Sequence, residues 1–171
     1  RRVERLMYGF MNGELKPSEV FDLDMFARTY AIGDLFGHHH SLDIYNMRFY
    51  LNPITGLIEP IPYDNQLINQ ISKIGLVGEK YLHLGNNNLD DNLIESQKGG
   101  NEKDLIGGLF ADYEFTKKYM HYLREYSSKK WLDDFFEKIS KKEEKVLSLL
   151  HRSYPWYKFL HKGTIYNNQK Y

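Results

Sequence analysis

Ile44-Tyr45-Asn46-Met47-Arg48-Phe49-Tyr50-Leu51, followed by Asn52-Pro53-Ile54-Thr55-Gly56 and then Leu57-Ile58-Glu59-Pro60-Ile61-Pro62-Tyr63, is the stretch whose reading decides the fold. Tyr45, Met47, Phe49 and Leu51 fall on one face of a period-two pattern, and Ile44, Asn46, Arg48 and Tyr50 on the other, which predicts a strand. The next five residues are turn formers, and the second apolar run carries two prolines, which confine it to an edge or a ladder end. The pair is a β-hairpin. With Leu51 and Leu57 facing each other, counting back sets Asn46 opposite Pro62, within about two residues of Asp64. Strands lie roughly 5 Å apart and rise about 3.3 Å per residue, so an amide oxygen and a carboxylate at these positions can approach one ion. Both are hard oxygen donors of the kind Mg²⁺ accepts when phosphate oxygens and waters complete its shell. On spacing alone the favoured reading is that Asn46 caps the strand entry and Asp64 the following turn.

Outward from the hairpin the periodicity changes to helical. Val3, Leu6, Met7, Phe10 and Met11 predict an amphipathic helix stopped by Gly13, and Lys16-Pro17-Ser18 reads as a linker. Asp22 predicts the cap of a second helix carrying Met25, Phe26, Tyr30, Ile32, Leu35 and Phe36, with Gly37 at its end. Gly75 to Gly108 is rich in Gly, Asn and Asp and reads as irregular. Two capped helices are expected after it: Asp112 to Tyr126, with Phe115, Tyr119, Met120 and Leu123 inward, and Ser128 to about Leu150, with Trp131, Leu132, Phe135, Phe136 and Ile139. The run Lys141-Lys142-Glu143-Glu144-Lys145 is a solvated face, its charges pairing at helical spacing.

Composition narrows the function classes. The 171 residues are 42% hydrophobic, enough for one domain with a sizeable core. Lys+Arg and Asp+Glu are 23 each, so no global field gathers nucleic acid or an anionic membrane. The absence of Cys removes disulfides and thiolate chemistry and leaves the compartment open. No apolar run approaches the roughly 20 residues of a membrane span, and Arg1-Arg2-Val3 reads as the start of a piece of a longer protein.

Phe21-Asp22-Leu23-Asp24-Met25-Phe26-Ala27-Arg28, Asp34-Leu35-Phe36-Gly37, Tyr45 to Pro53 and Leu57 to Asp64 together resemble the spore-coat protein H (CotH) kinase-like family, over most of the chain up to about Leu160. The resemblance implies an α+β, mostly helical protein-kinase-like C-lobe with one β-hairpin carrying the metal-site residues. It would span residues 1–160 as a single domain, with 161–171 a C-terminal tail. Asn46 and Asp64 match the family's metal-binding Asn and Asp. The same resemblance implies ATP- and metal-dependent phosphoryl transfer to a protein substrate, or a degenerate pseudokinase descendant, with Mg²⁺ or Mn²⁺ as cofactor, ATP and protein as partners, and an extracytoplasmic, cell-surface or spore-surface location.

The sequence departs from that pattern in three places. Five residues before Asn46, where the kinase pattern has its catalytic Asp, stands Ser41, which cannot accept a proton as a carboxylate does. His40 beside it could act as a base, and Asp43 could substitute if the loop is bent. Gln66 stands where the family tends to repeat an acid, and no glycine-rich phosphate loop or β-rich N-lobe precedes the first helix, so the N-lobe is missing.

Two other readings stay open. His38-His39-His40 with Asp43 and His83 could form a histidine metal site of hydrolase type, although adjacent residues cannot all face one ion. A non-catalytic surface or scaffold module is suggested by 14 Tyr and by Tyr154-Pro155-Trp156-Tyr157-Lys158-Phe159, a run expected to pack on its own core.

Overall fold

The computed structural model describes residues 1–42, 46–63, 102–159 and 161–170. Among the described residues ten elements occur in order: α1 (Arg2–Met11), α2 (Pro17–Val20), α3 (Leu23–Phe36), α4 (His39–Leu42), β1 (Arg48–Leu51), β2 (Ile58–Ile61), α5 (Glu102–Ala111), α6 (Tyr113–Tyr126), α7 (Lys129–Leu150) and α8 (His161–Asn168). The architecture is mixed, mostly helical, with one two-stranded antiparallel hairpin.

At the centre is α3. Asp22 accepts the amide of Met25 at 3.0 Å, satisfying an N-terminal donor that the helix cannot use itself. Gly37 closes the other end with φ 66°, a left-handed conformation that costs glycine little. Between these caps Phe26, Ala27, Tyr30, Ala31 and Leu35 are buried, whereas Met25 and Ile32 face outward. The most extensive helix pairing is α3 with α6. Their interface holds an edge-to-face cluster in which Phe110 meets Tyr30, Phe115 and Tyr119 at 5.6, 5.0 and 5.1 Å. Inside it the Tyr119 hydroxyl donates to the buried Asp34 carboxylate at 2.6 Å.

The hairpin leans on the same helix. Phe49 stacks on Phe26, Ile58 is fully buried, and its carbonyl accepts the Asp22 amide at 2.9 Å while Ile58 bridges Phe21 in parallel. Its register pairs Leu51 with Ile58 and Arg48 with Ile61. This is one residue away from the expected Leu51–Leu57 pairing, because Leu57 is already bonded to Asn52 (2.9 Å). Asn52 is spent on the turn: its Oδ1 accepts the amides of Ile54 and Thr55 at 2.8 and 3.3 Å, and its Nδ2 donates to Glu59 at 2.6 Å. The expected strand from Ile44 begins only at Arg48, where the ladder ends on Ile61; Asn46 lies in the turn before it, so the expected pairing of Asn46 with Pro62 is not formed.

Four further expectations change. Lys16-Pro17-Ser18 begins a helical turn, α2, with Pro17 at its first position. The end of the expected irregular stretch is helical: α5 buries Leu105, Ile106, Leu109 and Phe110. Met120 is exposed. Tyr154, Trp156 and Tyr157 are exposed too, packing on one another and on Phe159 instead of the core, because the last buried side chain of α7 is Phe136 and the helix runs on well past it. Beyond them α8 returns to the body, with Ile165 fully buried and Asn168 donating to the Leu35 carbonyl at 3.0 Å.

Candidate functional site

The segment between α3 and β1 is held at both ends by the core. Leu42 lies directly on Gly33, where a Cβ would meet its side chain at 2.6 Å, so only glycine lets α4 approach α3 this closely. Met47 is 3% exposed, and the Tyr30 hydroxyl donates to its sulfur at 3.7 Å. These two anchors fix where the intervening residues emerge. Asp43 lies between them, outside the described residues.

Asn46 and His40 meet. The Asn46 Nδ2 donates to the His40 carbonyl at 3.2 Å and lies 3.3 Å from His40 Nδ1. A carbonyl can only accept, which sets the amide with its nitrogen toward His40. The second Nδ2 hydrogen then requires a lone pair on Nδ1, so the imidazole carries its proton on Nε2 and is a donor there. Acting as a base through Nε2 would require the other tautomer and the loss of this contact. Asn46 Oδ1 is turned away from His40 and accepts no hydrogen bond among the described residues. It is a hard oxygen donor of fixed orientation, which fits a divalent cation.

Ser41 is placed differently. It is 2% exposed, and its hydroxyl donates to the His38 carbonyl at 2.8 Å, a local turn contact that ties the segment to itself. Asp64 and His83 lie outside the described residues. The triple-histidine run divides: the His38 ring meets Phe36 edge-on at 5.7 Å, while His40 turns to Asn46. Among the described residues no three His, Asp or Glu side chains converge to hold a metal ion.

Arg48 joins the site without having been singled out for it. Its Nη1 donates to the Met47 and Asn46 carbonyls at 3.1 and 3.4 Å, and its guanidinium lies 5.2 Å from the Tyr63 ring centre. A fixed cation thus stands beside Asn46, where anionic oxygens would gain from it. The period-two pattern puts Asn46 and Arg48 on one strand face, but the strand starts at Arg48 and Asn46 lies in the turn before it, so the two meet through the Arg48 side chain folding back onto the Asn46 carbonyl.

The chain as a whole matches no protein-family model, no curated protein and no solved structure.

Proposed function

We propose that the hairpin end is a metal–nucleotide phosphate site of the CotH kinase-like type, with Asn46 and Asp64 as metal ligands for Mg²⁺ or Mn²⁺ and ATP as the nucleotide. The observation that carries this reading is the Asn46 amide, locked by His40 so that Oδ1 remains available, two residues ahead of β1, whose partner strand β2 ends at Ile61, three residues before Asp64. A divalent ion bound there would neutralise phosphate charge, and the Arg48 guanidinium would add to that neutralisation. His40 acts as the positioning residue for Asn46. Ser41 has its hydroxyl committed to a backbone carbonyl, which leaves Asp43 as the carboxylate of this segment able to take a proton from an acceptor hydroxyl. With Asp43 so used the protein transfers phosphate to a protein substrate; without it the site is that of a pseudokinase.

Equilibrium binding of ATP by the full-length protein tests the proposal. Binding that requires Mg²⁺ or Mn²⁺ and falls at least tenfold in both Asn46→Ala and Asp64→Ala is expected. Metal-independent binding, or binding untouched by either substitution, overturns it. Transfer from γ-labelled ATP, lost in Asp43→Asn, separates the kinase from the pseudokinase. A non-catalytic interaction module remains the second reading, favoured by the exposed Tyr154, Trp156 and Tyr157; it predicts no nucleotide binding.

A further inference from the structure

A cavity of about 320 Å³ opens between α3 and the start of α7, beside the Ser41 turn. Its volume falls in the range of small-molecule sites. One wall is aromatic: Trp131 and Phe135 stack in parallel, 5.3 Å apart with 5° between their planes, and Phe36 stands edge-on to Phe135 at 5.9 Å. Ile32, on α3, contributes a large apolar side chain that is 37% exposed here. Trp131 also meets Tyr126 at 4.7 Å, which leaves little ring face unused, and the positive edges of such rings favour the face of another aromatic ring over an aliphatic chain.

At the rim stands Arg28, and its state decides the charge of the ligand. Both of its side-chain bonds leave from one nitrogen: Nη2 contacts the Asp24 carboxylate at 2.8 Å and the Tyr122 hydroxyl at 3.0 Å, while the guanidinium lies 4.8 Å from the centre of the Tyr122 ring. Nε and Nη1 bond nothing among the described residues, and a guanidinium has five N–H donors in a rigid plane. The Tyr122 hydroxyl also donates to Asp24 at 2.5 Å and holds that carboxyl below its usual range, so the anchor of Arg28 stays ionised. Lys118 reaches the same carboxylate at 3.4 Å. One anion shared by two cations leaves this group with a net positive charge, and of the three it is Arg28 that lines the cavity.

We propose that this cavity binds a small planar aromatic carboxylate, its ring against the Trp131–Phe135 stack and its carboxylate on the unspent N–H groups of Arg28. His38, Ser41 and Pro62 complete the lining, so the cavity adjoins the Asn46 centre, but Asn46 and His40 do not line it and the proposal does not depend on metal binding there. Calorimetry and ligand-observed NMR on the intact chain with 2-naphthoate, neutral 2-naphthamide and non-aromatic cyclohexanecarboxylate test it. The naphthoate is expected to bind roughly tenfold more tightly than either control, the ratio that about 1.4 kcal/mol produces. Arg28→Gln should abolish the preference for naphthoate over naphthamide, and Ile32→Trp, which fills the cavity from an exposed position, should abolish binding while leaving the thermal midpoint in place. No binding of 2-naphthoate, equal binding of acid and amide by the unsubstituted chain, or binding that survives Ile32→Trp in a folded protein overturns the proposal.

Discussion

His40 and Ser41 are neighbours with opposite commitments, and their substitutions should part company. The Ser41 hydroxyl is buried and bonded to His38, so Ser41→Ala removes one hydrogen bond from the interior and leaves the carbonyl without that donor. It should cost about 1 kcal/mol of stability with nucleotide binding little altered. His40 is exposed, so His40→Ala should change stability by less than about 0.5 kcal/mol. It removes one of the two acceptors that orient Asn46 but keeps the carbonyl, so metal-dependent ATP affinity should weaken severalfold without vanishing. Urea titration beside ATP binding for both variants reads the contrast. A large stability loss in His40→Ala, or lost ATP binding in Ser41→Ala with its fold intact, would reverse the assignment.

Among the elements, glycine has opposite effects in two helices. In α5 a Cβ on Gly108 would meet the Phe10 ring at 2.7 Å, and that ring is held edge-on by Phe21 at 4.9 Å, so it has little room to swing aside. In α8 a Cβ on Gly163 meets nothing within 4 Å. An Ala in place of Gly gains up to about 1 kcal/mol of helix propensity at either position, but overpacking costs about 1 to 3 kcal/mol at Gly108 alone. Gly108→Ala should therefore destabilise by about 1 kcal/mol and Gly163→Ala stabilise by up to the same amount, as shifts of opposite sign in the denaturation midpoint. The same glycines explain what could be read in advance. Helix α3 was legible from end to end because Asp22 and Gly37 announce it in local chemistry. For α5, Gly107-Gly108 lowers local propensity, and the reason for Gly108 is the ring of Phe10, far away along the chain, which no window of sequence contains. The hairpin was legible as a hairpin, while its register turned on Asn52, whose side chain takes the turn amides and extends the pairing to Leu57. In the candidate site, residue types could be read from spacing, but the contact between His40 and Asn46 could not, since it depends on Leu42 and Met47 being pinned by Gly33 and Tyr30.

Across the whole molecule, α8 joins the end of the described chain to its centre, and a titratable pair fastens it. The Tyr166 hydroxyl donates to Asp133 on α7, and Lys129 reaches the same carboxylate at 2.6 Å. Lys129 chiefly, and then Tyr166, hold the Asp133 carboxyl below the ordinary 3.8, while the bond to Asp133 pushes Tyr166 up to about 12. The two shifts act at opposite ends of the pH scale. A carboxyl lowered in the folded state stabilises above its unfolded value, and that contribution is lost as pH falls through the lowered folded value. A phenol raised in the folded state contributes fully below its unfolded value near 10, and the contribution is lost as pH rises toward about 12. Tyr166→Phe deletes the hydroxyl and keeps the ring, which stacks on Phe136 at 5.5 Å. The thermal midpoint of the variant should lie below that of the unsubstituted chain by a gap that is constant from about pH 6 to 9. Above about pH 10 the gap should shrink and close near 12, because the ionised phenol no longer donates to Asp133. A gap that persists unchanged through this alkaline range would mean that the hydroxyl contributes through something other than its bond to Asp133.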